Sequence, residues 1–305
     1  MAFTATDVKN LREMTGVGMM DCKKALTAAD GDMDKAVEWL REKGMAASVK
    51  KAGRIAAEGM AYAAVVDGIG VVVEVNAETD FVGKNEKFVD FVKGVAATVA
   101  KDNPADLDAL MNCKYNGTDL TVTQQQQEMV LVIGENIKVR RFARYSDGVS
   151  VPYVHAGGKI GVLVNLETDL DADKVQEAGK DVAMQIAALN PRFWDKSQVT
   201  QEVLDEEKKV MMAQMENDPK MAGKPEQVRE KIVMGKLNKF YSENCLLQQD
   251  FVKDGDVTVE KYLAAAAKAL GGTITFKDAV RFEKGEGIEK KQENFAEEIA
   301  SMVKG

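Results

Sequence analysis

Apolar residues recur at helical spacing in the first part of the chain and predict three short helices. Thr6 or Asp7 can cap the first, which places Val8, Leu11 and Met14 on one face. A capping or flexible residue before an apolar stripe also predicts the other two helices. The second helix follows Gly18 and ends at Asp30-Gly31. The third helix is capped by Asp32 and buries Ala36, Val37 and Leu40.

These helices are expected to form one bundle over residues 1–43. The segment Ala25–Leu40 resembles the second and third helices of ubiquitin-associated-type bundles, which bury little and present an apolar patch to partners. The following residues, 44–58, are rich in alanine and carry several basic side chains. We expect them to form a helical or extended basic linker.

A strand pattern begins after the linker. Tyr62–Val75 consists of two β-rich runs around Asp67-Gly68, a strong signal for a hairpin turn. The segment Tyr153–Leu166 repeats this pattern at constant spacing, with Ile69 matching Ile160. The chain therefore contains two copies of one unit.

Each hairpin is followed by a similar turn, Glu78–Phe81 or Glu167–Leu170, and then by a helix that ends before a proline. A third strand is plausible in each copy, at residues 137–144 and 274–282. These features predict an α+β fold with two duplicated subdomains, each a small antiparallel sheet backed by helices. We place the subdomains at residues 59–145 and 146–284.

Two further helical features are predicted in the second half. Charged segments with apolar spacing, Val199–Asn217 and Pro225–Ser242, predict an antiparallel helical hairpin inserted at residues 198–242. Residues 285–305 are expected to form a C-terminal module whose amphipathic helix carries Phe295, Ile299 and Met302 on one face.

Composition and charge narrow the functional classes. Hydrophobic residues make up 45% and charged residues 30%, as in globular proteins. A net charge of −8 gives no overall attraction to nucleic acid or anionic lipid, so a protein partner is favoured. The apolar runs fall far short of the roughly 18 residues of a membrane span. The first residues lack a signal-peptide pattern, and a cytoplasmic location is expected.

The sequence contains few of the residues and motifs that catalytic and metal sites use. Its one histidine, His155, excludes a multi-histidine metal site, and its three cysteines are widely spaced and read as reduced thiols. The phosphate-binding loop, the dinucleotide fingerprint and the serine-hydrolase motif are all missing from the sequence. We therefore expect no catalytic residue, metal, cofactor or direct nucleotide binding, and a structural or interface role for His155.

The turn Thr79-Asp80-Phe81-Val82 has two interpretations. Thr79 or Asp80 can cap the next helix while Phe81 folds back onto the core. Alternatively, Phe81 protrudes as an interface anchor, because the second copy keeps Thr-Asp but has Leu170-Asp171 in place of Phe81-Val82. An aromatic residue in only one of two duplicated turns suggests a role specific to that turn.

A second functional hypothesis concerns the basic residues. Lys138, Arg140, Arg141 and Arg144 alternate partly along a predicted strand and could face RNA phosphates together with the basic linker. The chain would then be an RNA- or ribosome-binding module.

Several motifs together resemble the bacterial elongation factor Ts family, the guanine-nucleotide exchange factors of elongation factor Tu. Leu11–Leu26 is similar to the N-terminal signature of that family and Glu74–Val82 to its second signature. The resemblance extends to three shorter landmarks: Gly134–Ile137, His155–Val164 and Gly285–Glu289.

The resemblance implies an exchange factor with no active site of its own. Thr79–Val82 would approach the magnesium site of elongation factor Tu, with Asp80 at the tip and Phe81 inserted between partner side chains. The resemblance also implies two further contacts: Arg12, Met19 and Met20 with a helix of the partner's GTPase domain, and the second subdomain around His155 with another partner domain.

Overall fold

The fold is taken from a computed structural model that describes residues 3–218 and 225–289. It is α+β, as predicted, and divides into two compact units. Among the described residues, unit 1 comprises 3–144, 154–161 and 282–289, and unit 2 comprises 145–153, 162–218 and 225–281. The tip of the second hairpin, including His155, is thus grouped with unit 1.

The N-terminal bundle consists of α1 (Ala5–Thr15), α2 (Met19–Ala28) and α3 (Met33–Lys51). The first cap is Thr4, because its hydroxyl accepts from the Asp7 N–H while the Asp7 carboxylate accepts from the Thr4 N–H. The predicted caps Thr6 and Asp7 are therefore wrong, since both residues lie inside α1. Asp32 caps α3 as predicted, accepting from the Lys35 N–H at 3.0 Å.

Helix α3 is longer than predicted and includes the first part of the linker. It continues to Lys51 because its alanine-rich second half packs against α6 (Val122–Ile133). The approach is close at Gly44, where a Cβ atom would lie 3.1 Å from the Gln127 carbonyl oxygen. The linker is thus helical up to Lys51.

The first sheet has the strand order β1 (Glu58–Val66), β2 (Ile69–Ala77) and β3 (Lys138–Tyr145). Strands β1 and β2 pair in antiparallel register with Val66 opposite Ile69, which leaves Asp67-Gly68 as a two-residue turn with both φ angles positive. The predicted hairpin turn is confirmed.

Helices α4 (Glu86–Asp102), α5 (Leu107–Asn112) and α6 complete the first subdomain. Asn103 ends α4 in the left-handed conformation and Pro104 follows. The core between this sheet and the helices is built from valines and phenylalanines, including Val73, Phe88, Phe91, Val95 and Val130. The sequence did not predict α5 and α6.

The second sheet repeats this arrangement. It has the order β4 (Val149–His155), β5 (Ile160–Thr168) and β8 (Ile274–Glu283), backed by α7 (Ala172–Leu189). The hairpin between β4 and β5 uses four residues, 156–159, and therefore differs from the two-residue turn of the first copy. A small ribbon of β6 (Asp250–Phe251) and β7 (Asp254–Thr258), then α10 (Val259–Leu270), precede β8.

The inserted helical hairpin is confirmed as α8 (Gln201–Glu216) and α9 (Glu226–Asn244). Phe240 near the end of α9 packs with Val203 and Leu204 near the start of α8, so the helices run antiparallel. Arg229 and Glu216 approach to 3.8 Å toward the other end. The predicted C-terminal helix with Phe295, Ile299 and Met302 lies outside the described residues.

Candidate partner-binding site

The site is centred on the Phe81 turn, residues 78–82, which follows β2. A short 3₁₀ helix, Val82–Lys84, comes next, and α4 is capped by Asn85, whose side chain accepts from the Lys87 N–H at 3.0 Å. The prediction that Thr79 or Asp80 caps this helix is wrong, because the 3₁₀ helix intervenes before α4 begins.

The structure places the Phe81 side chain in solvent. It is 80% exposed, whereas Val82 is 5% exposed and belongs to the core of the first subdomain. Val82 therefore provides the apolar anchor that the capping interpretation assigned to Phe81. That interpretation is wrong, and Phe81 is an exposed aromatic residue on a turn with a buried neighbour.

Glu135 holds the other end of the turn. The backbone N–H groups of Glu78 and Thr79 both donate to Glu135 Oε2 at 3.0 Å, and the Thr79 hydroxyl donates to Glu135 Oε1 at 2.7 Å. In return, the Asn136 N–H donates to Glu78 Oε1 at 2.6 Å. Hydrogen bonds to an ionised acceptor are stronger than neutral ones, so this end of the turn has a defined geometry.

The loop that carries Glu135 is itself held by the end of α3 and the linker. Lys51 Nζ donates to the Gly134 carbonyl at 2.6 Å, and Asn136 Nδ2 donates to the Arg54 carbonyl at 2.8 Å. Burial, together with the nearby Arg54 charge, lowers the pKa of Lys51. These contacts give Gly134–Ile137 a structural role that the sequence did not predict.

An open cavity of about 500 Å³ lies beside Phe81 in unit 1. Its lining includes Phe81, Lys87, Ile133 and also Gly16 from the loop between α1 and α2. Lys87 Nζ donates to the Gly16 carbonyl at 3.1 Å. The cavity thus brings the Phe81 turn and the N-terminal bundle onto one surface of unit 1.

The bundle residues singled out from the sequence are exposed. Arg12 lies near the end of α1, and Met19 and Met20 begin α2 directly after the loop that contains Gly16. Met19 is 47% and Met20 64% exposed, although the neighbouring Cys22 is buried in the bundle core. Large apolar side chains in solvent are suited to contact with a protein partner.

His155 lies at the end of β4 and is exposed. Its carbonyl accepts from the N–H groups of Gly158 and Lys159, and the Gly158 carbonyl accepts from the Ala61 N–H at 2.8 Å. The hairpin tip is therefore attached to β1 within unit 1. His155 is not among the residues that line the cavity beside Phe81.

The basic strand has intramolecular partners. Arg140 NH1 lies 2.9 Å from Glu74 Oε1, and Arg141 Nε lies 2.5 Å from Glu74 Oε2. Arg144 donates to the Ala100 carbonyl, and only Lys138 of the four residues is exposed. The three arginines therefore compensate a buried carboxylate and bind a backbone carbonyl, which counts against their facing RNA phosphates, whereas Lys138 remains exposed.

Glu74 is a buried charged residue whose structural role sequence reasoning missed. Its side chain is 0% exposed and also accepts from Asn76 Nδ2 and from the Gly285 N–H. Burial alone would raise its pKa, but the hydrogen bonds from Asn76, Gly285 and the two arginines outweigh that effect and lower it. A single acidic residue among the valines of β2 was the available signal, because a buried charge requires a partner.

The described residues contain no group of three or more histidine, cysteine or acidic side chains arranged for a metal ion. The three cysteines are free thiols. Across residues 3–218 and 225–289, no helix is long and apolar enough to cross a membrane. The surface around the Phe81 turn presents an exposed aromatic side chain and the neighbouring exposed carboxylate of Asp80.

The fold defines an α+β protein with an N-terminal helical bundle and two copies of a small sheet backed by helices. The model of the family described as Elongation factor TS matches residues 78–286. The chain is 50% identical to elongation factor Ts of Clostridium perfringens over 303 residues, 98% of each chain. It is 47% identical to elongation factor Ts of Syntrophotalea carbinolica over 307 residues, covering 100% of both. The chain belongs to the elongation factor Ts family, whose members are translation elongation factors.

Proposed function

We propose that this chain binds elongation factor Tu carrying GDP and promotes GDP release by disturbing the magnesium and phosphate site, so that GTP can rebind. The observation that carries the proposal is the exposed Phe81 ring between two fixed points, the buried Val82 and the Thr79 hydrogen bonds to Glu135. A rigidly presented aromatic side chain is a good interface anchor, because it loses little conformational freedom on binding.

In this proposal the chain is a binding protein rather than an enzyme, and it acts in the cytoplasm without a cofactor. Asp80 and Phe81, with Thr79 and Val82 beside them, approach the magnesium site of the partner. Arg12, Met19 and Met20 contact its GTPase domain, and the region around His155 contacts another domain. Apart from Val82, which is buried in the core and can only support the turn, these side chains are exposed in the free chain, and this exposure supports the assignment.

The free energy that this exchange reaction requires is of a size that a protein interface can supply. A GTPase holds its nucleotide partly through magnesium, so displacing the ion weakens binding without breaking a covalent bond. A nucleotide bound with nanomolar affinity is held by about 12 kcal/mol. Thousandfold faster release requires the barrier to fall by about 4 kcal/mol. Because binding linkage is reciprocal, nucleotide binding to elongation factor Tu must lower the affinity of elongation factor Tu for this chain by the same factor, so that the chain dissociates.

The experiment is release of a fluorescent GDP from purified elongation factor Tu, with and without this chain. The wild-type chain should accelerate release, and Phe81→Ala should accelerate it much less while folding normally. Leu189→Ala, at another exposed apolar position, is the control and should behave as wild type. Equal acceleration by the wild type and Phe81→Ala would exclude the role of Phe81.

A further inference from the structure

The two duplicated turns are held in opposite ways. In the second copy the turn supplies the carboxylate: Asp169 Oδ1 accepts from the Thr273 N–H at 2.6 Å and from the Thr273 hydroxyl at 2.9 Å. The Thr168 hydroxyl donates to the Thr273 carbonyl at 2.6 Å. Thr273 directly precedes β8, so the aspartate of this turn binds the segment that leads into the third strand.

In the first copy the accepting carboxylate belongs to the segment before the third strand and not to the turn. Glu135 lies in the segment that leads into β3, and it accepts from the backbone of the turn. Asp80, which corresponds to Asp169, is exposed and forms no hydrogen bond or ion pair with any residue in the described part of the chain. The exchange of acceptor leaves the carboxylate of Asp80 available to a partner.

The geometry of the hydrogen bonds to Glu135 fixes the direction in which the backbone of the turn leads into Asp80 and Phe81. Two consecutive N–H groups, those of Glu78 and Thr79, point at one oxygen of Glu135, and the Thr79 hydroxyl occupies the other oxygen. Both peptide planes are thereby oriented, and Asp80 and Phe81 follow immediately. Val82 is buried on the far side. The tip is therefore ordered before any partner arrives, which reduces the entropy lost on binding.

We propose that Glu135 is a positioning residue for nucleotide exchange: it replaces the carboxylate of the turn as the local acceptor, orders Phe81 and frees Asp80. This role rests on the proposed function. Glu135 acts through the turn and contacts neither the nucleotide nor the metal.

The chemistry of the acceptor makes the role testable. An ionised carboxylate offers two acceptor oxygens, whereas a glutamine amide offers one oxygen and an NH₂ group. In Glu135→Gln the amide oxygen can still accept from the two N–H groups and the NH₂ group can donate to a rotated Thr79 hydroxyl, so the variant keeps the size of the side chain but replaces charge-assisted hydrogen bonds by weaker neutral ones. Asp169→Asn makes the same amide-for-carboxylate change in the second copy, where both Thr273 donors meet the single oxygen Oδ1 and the turn has no exposed phenylalanine, so it is the control for loss of a turn carboxylate charge.

Three measurements on full-length variants define the experiment. The first is the stimulated release of GDP from elongation factor Tu at subsaturating concentrations of the chain. The second is hydrogen exchange at the backbone amides of residues 78 and 79. The third is the same release assay with each substitution made in the Phe81→Ala variant. Circular dichroism melting checks the fold. Glu135→Asp, which keeps the charge but is one methylene shorter, serves if Glu135→Gln does not fold.

We expect Glu135→Gln to lower stimulation about tenfold, equivalent to about 1.4 kcal/mol. The amides of residues 78 and 79 should exchange faster in this variant, and Asp169→Asn should stimulate as wild type. On the Phe81→Ala background, Glu135→Gln should change release less than about twofold, because residues that act through one element are not additive.

Two results would overturn the inference: unchanged stimulation by Glu135→Gln despite faster amide exchange, or the same fold loss with and without Phe81. The second result would mean that Glu135 acts independently of the ring. A wild-type chain that does not accelerate GDP release at all contradicts the proposed function itself, and the two failures are thereby distinguished.

Discussion

Phe81 and Val82 are adjacent in the chain and lie in opposite environments. The phenyl ring is 80% exposed, whereas the Val82 side chain is 5% exposed and packs in the core of the first subdomain. The 3₁₀ helix that begins at Val82 turns the backbone so that one side chain enters the core and the preceding one leaves it. Stability and partner binding are therefore assigned to different residues of one short turn.

This separation predicts opposite outcomes for two alanine substitutions. Val82→Ala should lower the free energy of unfolding by about 2 kcal/mol, because it removes buried methyl groups and leaves a cavity. Phe81→Ala should change it by less than about 0.5 kcal/mol, as is usual for an exposed position. Urea unfolding of both variants measures the difference. A large loss of stability in Phe81→Ala would mean that the ring packs on the protein.

The cysteines provide a test of the second subdomain. Cys245 is fully buried, and burial, with a smaller contribution from Asp195, raises its pKa to about 11. Cys113 is only half-buried. At pH 8 a thiol reagent should label Cys113 first and Cys245 only on unfolding, because the reactive form is the exposed thiolate. Cys113→Ala identifies the fast phase, and rapid labelling of that variant at Cys245 would contradict the burial.

Local signals predicted the repeated parts of the fold. The turn Asp67-Gly68, the alternation in the strands and the prolines after the long helices each act within a few residues, so the hairpins, third strands and helical hairpin could be recognised. Helix α6 was missed because its Gln124–Gln127 run shows no apolar period, and α5 was missed because its 6 residues are too few to show one. One signal was present: Thr121 and Gln124 form a capping box at the start of α6.

The details of the site depend on distant residues and could not be predicted locally. Thr79 has the chemistry of a helix cap, but its hydroxyl donates to Glu135, which is 56 positions away. Likewise, the arginines of β3 could not be separated from an RNA-binding strip until Glu74 was seen to be buried between them. The sequence gives the type of each residue and therefore its possible partners, but the tertiary contacts determine which of these partners the residue binds.

The engaged arginines predict an absence of RNA binding. A gel shift with single-stranded RNA at low salt should show no complex, because Arg140 and Arg141 are paired with Glu74 and the protein carries a net charge of −8. A complex that weakens steeply with added salt would contradict this expectation, since such a slope reports contacts with phosphates.

The N-terminal bundle predicts a loss of binding without a loss of stability. Met19→Ala and Met20→Ala remove exposed side chains, so unfolding free energies should change by less than about 0.5 kcal/mol. Stimulation of GDP release at subsaturating concentration should fall about fivefold, as expected when an interface side chain contributes about 1 kcal/mol. Met45→Ala, at an exposed methionine of α3 with no assigned contact, is the control. An equal loss for Met45→Ala would mean that the effect is not specific to the start of α2.

Glu74 predicts a pH dependence of stability with a definite sign. The pKa of its carboxyl is lowered in the folded chain from an ordinary value of 4.5. A group with a lowered folded pKa stabilises the protein above its unfolded pKa, and this contribution disappears as the pH falls through the folded value. The free energy of unfolding of the wild type should therefore decrease as the pH is lowered from about 5.

Glu74→Gln should remove this part of the pH dependence. It should also lower the unfolding free energy at pH 7 by about 3 kcal/mol, because Arg140 and Arg141 keep their charges and lose their common partner. Urea unfolding of the wild type and of Glu74→Gln at a series of pH values between about 3 and 7 measures both effects. Parallel profiles for the two proteins would contradict the assignment, since another carboxylate would then be responsible. An unchanged stability of Glu74→Gln at pH 7 would contradict the pairing with the arginines.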